Sequence, residues 1–225
     1  MTNLPLALVF LPAADIPRFV AEGNVDLGIT GQDMVQEAGT AVSSAITEEL
    51  PLGFGKCKLQ VQVPENSETI KNVEDLIGKT VATSFDYMSS DYFRKLEQQV
   101  GKTGESGQLA TSIRYLNGSV EAACALGLAD GIVDLVESGE TMRACGLKPI
   151  ATLLESEAVL IRPTKPHSTK SSEIISLITS RIRGVIAASK YVLCQYNIEK
   201  ENLAKALEIT PGRRAATVLS LIHIS

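Results

Sequence analysis

Residues 134–141 read DLVESGET, an acid followed by a turn rich in hydroxyls, acids and a glycine: Glu137, Ser138, Gly139, Glu140 and Thr141. A phosphate is held by several backbone N–H groups converging on one point, helped by short hydroxyl side chains and a following helix N-terminus. Gly139 lets the backbone turn tightly, and Ser138 and Thr141 can donate side-chain hydrogen bonds. Asp134 closes the apolar strand predicted over residues 131–134, the place where ligands of open α/β sheets bind. A carboxylate there suits ribose hydroxyls or a phosphate-bound Mg²⁺. The same residues also fit an ordinary strand-to-helix turn in which Ser138 or Thr141 caps the next helix, and the loop alone does not separate the two.

The elements that would position this loop recur along the chain. An apolar run over 4–12 predicts a strand buried on both faces, a helix follows from Asp15 to Gly23, and 25–29 predicts a second strand ending in Thr30-Gly31. Such a strand, helix and strand make a parallel crossover unit, with Asp33 free to cap the next short helix. Residues 39–55 read as a surface connection. Alternation over 57–64 predicts a strand, 72–78 a short helix, 80–82 a strand ending at Thr83-Ser84, and 89–100 an amphipathic helix. A strand over 112–116 leads to Asn117-Gly118-Ser119, where Ser119 can cap a helix carrying Glu121. Strands at 150–154 and 158–161, a loop over 164–172, a helix over 173–189, a strand at 191–196, a short helix over 200–207 and a basic turn at 210–214 complete an α/β pattern. In parallel α/β sheets the turns at 30–31, 83–84, 117–119 and 137–141 gather at one carboxyl edge, so they can converge on one anionic ligand.

Composition narrows the functions available. A net charge of −5, aromatics at 4% and no tryptophan provide neither a basic stripe nor a stacking platform for nucleic acid. Cys57, Cys124, Cys145 and Cys194 form no CxxC pair, so reduced thiols are expected rather than zinc or disulfides. No apolar run spans a bilayer and no secretory pattern opens the chain, which predicts a cytoplasmic protein without a membrane partner. His167 and His223 have no partner spaced for metal binding or a triad.

The spacing Glu121, Gly127, Ala129, Ile132, Asp134-Leu135, Ser138-Gly139 and Thr141-Met142 resembles the signature of ATP phosphoribosyltransferase, the first enzyme of histidine biosynthesis. VDLGITG at 25–31, GKCKLQVQVP at 55–64, GKTVATSF at 78–85, LNGSVEAA at 116–123 and ITPGRRAATV at 209–218 support it, with wording nearest the fungal form. The resemblance implies a fold like the type II periplasmic binding proteins: two α/β lobes with a cleft between them, lobe I over 1–60 plus 158–215, lobe II over 61–157, and crossings near 59–63 and 157–161. It implies transfer of phosphoribosyl from 5-phosphoribosyl-1-pyrophosphate to N1 of ATP, with Mg²⁺ held mainly through substrate phosphates. Residues 137–141 would cradle the donor 5-phosphate and Asp134 its ribose hydroxyls, with Glu121 facing the same pocket. Thr83 and Ser84 would be secondary phosphate contacts, and Asp26, Leu27, Gly28 and Thr30 would line the ATP side. No side chain is expected to act as nucleophile, acid or base. A homo-oligomer, a hexamer or its dimer unit, is implied. Relative to the family, the chain is expected to lack an N-terminal Gly-Arg-Leu segment and the C-terminal regulatory domain. A non-enzymatic small-ligand module of the same fold is the alternative reading.

Overall fold

The computed structural model describes residues 6–104, 108–165 and 172–211. Its core is built on the alternating segment that becomes β3 (Cys57–Pro64), whose Leu59, Val61 and Val63 are fully buried. β3 runs antiparallel between β6 (Gly131–Val136) and β7 (Leu147–Ser156). β6 continues in parallel to β4 (Thr80–Thr83), and β4 in parallel to β5 (Ser112–Tyr115), giving a five-stranded sheet of order β5-β4-β6-β3-β7. The parallel strands are covered on both faces, as such strands require. Val81, Phe93 and Val133 pack on one side, and Ala82, Val120 and Ile132 on the other.

Helix α4 (Asp86–Val100) supplies Phe93 and Leu96 to this core and ends at Gly101, whose φ of 71° is the left-handed stop glycine permits. Its Glu97 is only 1% exposed, yet its carboxylate accepts from Ala110 N, Thr111 N and Thr111 Oγ1 at 2.7–2.8 Å. A buried charge is tolerated when its lone pairs are filled in this way, and here it anchors the approach to β5.

The second sheet has three strands, β1 (Gly28–Gly31), β8 (Ala158–Pro163) and β2 (Ile46–Pro51), with β8 central and antiparallel to both neighbours. Helix α1 (Ile16–Ala21) lies so close to β1 that a Cβ at Gly28 would stand 2.8 Å from Val20 Cγ2. Helices α2 (Gln32–Glu37) and α3 (Thr40–Ser43) follow β1. Val20, Val35, Ile46, Val159 and Ile161 form this sheet's own apolar cluster.

β3 belongs wholly to the five-stranded sheet and β8 wholly to the three-stranded one, so the chain passes between sheets in 52–56, just before the expected 59–63, and at Glu157, the first residue of the expected 157–161. Leu52 N donates to Ala158 O at 2.9 Å and Gln32 N to Glu157 O at 3.1 Å, which ties the two passages together.

Several expectations change. Of the strand expected over 4–12, residues 4 and 5 lie outside the described set, and 6–12 are irregular with Leu8 and Phe10 at 70% and 87% exposure. A strand is completed by a partner edge, and no described strand includes this run. The parallel crossover is therefore not formed, and β1 pairs antiparallel with β8. Residues 39–55 are not a bare connection, since they carry α3 and β2. Ser119 has a left-handed φ of 50° and makes no cap bond, and the helix expected after it is a 3-10 turn, Val120–Ala122.

Helix α6 (Ser172–Ser189) follows β8 in sequence. The chain divides into two compact units, Met1–Ile186 and Ala187–Ser225. In the second, residues 191–199 are irregular, against the strand expected at 191–196, and Val192 and Leu193 stand 86% and 92% exposed. A 3-10 turn, Lys200–Asn202, and helix α7 (Leu203–Ile209) follow, and Tyr196 Oη meets Thr210 Oγ1 at 2.5 Å. His167, His223 and most of the basic turn, residues 212–214, lie outside the described residues.

Candidate active site

The carboxyl ends of β4 and β5 are level with one another, and β6 runs on past them to Val136. Thr83 pairs with Val133 and with Tyr115, so the turns at 83–84, 117–119 and 137–141 all leave one edge of the sheet. Asp134 stands there half-buried, and its Oδ1 accepts from Leu135 N at 2.8 Å. Burial pushes its pKa up, against the lowering by that bond, and the nearby Glu121 carboxylate raises it further. The structure thus brings Asp134 and Glu121 within electrostatic reach of each other.

After β6, Glu137 and Ser138 are exposed, and Gly139 is buried with a φ of 74°, the left-handed turn that glycine supplies without strain. Glu140 and Thr141 open helix α5 (Glu140–Ala144) and are exposed. Glu140 N donates to Ser138 Oγ at 3.4 Å, and Arg143 Nη2 donates to Ser138 O at 3.2 Å. The loop is therefore a glycine turn into a short helix, folded under the arginine of its own helix.

The other expected site residues separate. Thr83 is fully buried and its hydroxyl is committed: it donates to Val133 O at 2.8 Å and accepts from Phe85 N at 2.9 Å. It shapes the turn into α4 and has no proton left for a phosphate, whereas Ser84 is half-buried at the same turn. Thr30 is also buried, and its Oγ1 donates to Ala13 O at 3.2 Å. Gly28 serves the packing of α1, and Leu27 is half-buried beside it. Asp26 lines a different cavity, of about 260 Å³, with Glu49 and Arg162. Asp26, Gly28 and Thr30 thus form no common ligand surface, because Asp26 precedes β1 and is exposed, α1 covers Gly28, and the Thr30 hydroxyl is spent on Ala13 O.

The 30–31 turn reaches the donor-loop side through the residues after it. A cavity of about 460 Å³ between the sheets is lined by Gln32, Lys56, Cys57, Lys58, Glu137 and Ser156, among others. Asp33 does not cap α2. It is 5% exposed and turned to the other sheet, where Ser156 Oγ donates to its Oδ1 at 2.6 Å while Asp33 N donates to Ser156 Oγ at 3.0 Å. Cys57 abuts this pair. Burial first, then Asp33 and Glu137, push its pKa up, while a hydrogen bond with Ser156 opposes them, so the thiol stays protonated at neutral pH. Sequence reasoning missed Lys56, Lys58 and Ser156. GKCKL carries the signal of two cations beside a strand start, but only the fold sets them next to Glu137.

Among the described residues no three His, Cys, Asp or Glu side chains group to hold a metal ion, and no helix is long and apolar enough to cross a membrane.

Fold and site together define a protein of the type II periplasmic-binding-protein-like α/β class, with polar turns facing an inter-sheet cleft. The chain superposes on a histidine kinase sensor domain described as similar to periplasmic binding proteins, with TM-score 0.50 and 15% identity over 88% of this chain and 74% of that one. It also superposes on an ATP phosphoribosyl transferase (HisG:HisZ) complex from Thermotoga maritima, with TM-score 0.63 and 21% identity over 79% and 78% of the two chains. Both likenesses bear on the fold alone. The family model for HisG, ATP phosphoribosyltransferase, matches residues 12–184, and the model for the HisG C-terminal domain matches 188–224. The ATP phosphoribosyltransferase of Yarrowia lipolytica is 58% identical over 220 residues, 98% of this chain and 70% of that protein. The chain belongs to the ATP phosphoribosyltransferase family. The match at 188–224 coincides with the separate compact unit that begins at Ala187.

Proposed function

We propose that the edge formed by β4, β5 and β6 is where the phosphoribosyl donor is held. The chain is a pentosyltransferase of the first step of histidine biosynthesis, transferring phosphoribosyl from 5-phosphoribosyl-1-pyrophosphate to N1 of ATP. The observation that carries the residue assignment is the left-handed Gly139 turn following β6 together with a half-buried Asp134 two residues before the end of that strand. In this reading the backbone N–H groups of 138–141, with Ser138 and Thr141, receive the 5-phosphate, and Asp134 accepts from the ribose hydroxyls. Glu121 supports Asp134. Ser84 reaches the phosphates from the neighbouring turn, and Gln32 and its neighbours border the space left for ATP.

The chemistry asks for position more than for a reactive side chain. The lone pair of adenine N1 forms the bond to C1 while the C1–O bond to pyrophosphate breaks, so no proton has to be removed beforehand. A Cys57 thiol whose pKa burial raises fits a reaction that asks for no thiolate.

Mg²⁺ belongs to the proposal as a substrate-borne ion. Burial and the nearby Glu121 carboxylate make Asp134 costly to ionise, and a cation carried on the phosphates offsets that cost, so the donor set fits. When bound, Mg²⁺ offsets phosphate charge. A homo-oligomer, dimer or hexamer, is also proposed. It is supported by the exposed Tyr115, Leu126 and Leu128 near the β5 edge and is checked by analytical ultracentrifugation. Use of ATP in biosynthesis fits a cytoplasmic location, checked by cell fractionation.

The decisive experiment is steady-state formation of phosphoribosyl-ATP by Thr141→Ala. The donor KM should rise by the equivalent of about 1–3 kcal/mol for a lost contact to a charged group, with the ATP KM unchanged. An equal rise in both would reject the loop assignment.

A further inference from the structure

The cavity between the sheets holds two lysines that the donor-loop assignment leaves unused. Lys58 on β3 stands opposite Val136 in the β3–β6 register, one residue before Glu137, and opposite Glu155 in the β3–β7 register. Its ammonium meets Glu155 Oε1 at 2.6 Å, which holds it at the end of the sheet from which the 137–141 loop departs. Lys56 lines the same cavity and makes no ion pair among the described residues.

The electrostatics give these lysines a task. Glu137, Glu155 and Glu157 also line the cavity, so a polyanion enters only where a cation meets it. The donor is charged at both ends, and a 5-phosphate in the 137–141 loop leaves its pyrophosphate to be met elsewhere. The Lys58 and Glu155 side chains are 53% and 72% exposed, and an ion pair so open to water is weak and exchangeable. A lysine ammonium is a compact point charge suited to phosphate oxygens, and pyrophosphate carries more charge than the carboxylate it would displace.

We propose that Lys58, with Lys56 beside it, receives the pyrophosphate end of the donor, and that Glu155 competes for Lys58 so that pyrophosphate leaves after transfer. This rests on the placement of the 5-phosphate in the 137–141 loop. As C1–O breaks, its electron pair passes to the pyrophosphate oxygen, adenine N1 supplies the pair for the new C1–N bond, and the Lys58 charge meets the growing negative charge. Return of Lys58 to Glu155 then weakens the hold on product.

Calorimetric titration of the whole chain with inorganic pyrophosphate, and separately with ribose 5-phosphate, tests this. Lys58→Met should weaken pyrophosphate about 10–100-fold, the loss expected for a hydrogen bond to a charged group, and leave ribose 5-phosphate unchanged. Glu155→Gln, which removes the competitor, should tighten pyrophosphate. Unchanged pyrophosphate affinity in Lys58→Met, or weaker binding in Glu155→Gln, overturns the inference, and Glu155→Gln decides it if Lys58→Met does not fold. Thr141→Ala in the same titrations separates the two readings. If it leaves ribose 5-phosphate binding intact, the loop assignment fails. If it weakens ribose 5-phosphate while Lys58→Met leaves pyrophosphate alone, only the lysine assignment is rejected.

Discussion

Asp134 is costly to keep ionised where it stands, and that cost is what a binding carboxylate carries. Burial raises its pKa and Glu121 adds to the rise, so the folded state holds a proton on Asp134 more tightly than the unfolded chain does. The linkage sign follows: its contribution to stability is present below the ordinary aspartate pKa and is lost as pH rises through the folded value. Asp134→Asn should therefore weaken the donor by about 1–3 kcal/mol while leaving thermal stability at neutral pH the same or higher. Paired calorimetry and thermal unfolding check this, and a parallel fall in both would mean that Asp134 is structural. In the wild type, donor affinity should decline on acidification at a pH above the ordinary aspartate range, and Asp134→Asn should remove that limb. Asp134 and the 137–141 turn were legible because glycine, hydroxyls and an acid after an apolar run are local chemistry. Thr83 was not, since its hydroxyl is used up by Val133 on a strand 50 residues away in sequence.

At the scale of elements, the contact that spans the two sheets beside the cleft is α2 against the start of α4. Glu37 Oε1 and Oε2 accept from Tyr87 N and Met88 N at 2.9 and 3.0 Å, and Thr40 Oγ1 meets Tyr87 Oη at 2.6 Å. A carboxylate from one layer thus satisfies the open N–H groups of a helix in the other. Burial raises the Glu37 pKa despite these bonds, so on acidification this carboxylate loses its charge before an ordinary glutamate does. Glu37→Ala should cost about 0.5–2 kcal/mol, the usual worth of an N-cap, and Glu37→Gln less, as read by urea denaturation. Equal losses would show that charge rather than an acceptor atom is what the helix needs. No cap signature marks this in the sequence, because the acceptor lies 50 residues from the N–H groups it fills.

The whole molecule carries a net charge of −5 and handles two polyanionic substrates, so charge must be offset locally. If Mg²⁺ arrives on the phosphates, chelation with EDTA should sharply weaken donor binding and abolish turnover, with both restored by added Mg²⁺. Donor affinity indifferent to EDTA would remove the ion from the account. The fold answers the same need with geometry: antiparallel β3 beside the parallel strands sets Lys58 next to the loop that begins at Glu137. The second unit, from Ala187, is matched to the C-terminal domain of the family.

By itself the sequence determined the α/β class, the alternating strand β3, the glycine turn at 137–141 and, through its motifs, the family. These depend on period, turn chemistry and local spacing, which neighbouring residues impose on one another. Tertiary structure alone decided which strands found partners. It gave 6–12 and 191–199 no place in a described strand, since strand character depends on the edge beside a run as well as on its own residues, and it put β2 where a bare connection was expected. It also decided which polar groups remain free for a ligand: Thr83, Thr30 and Asp33 are spent on distant partners, while Asp134 and the lysines of the cleft are not held in the interior. Burial and pairing are properties of the assembled sheets, and no window of sequence contains both halves of such a bond.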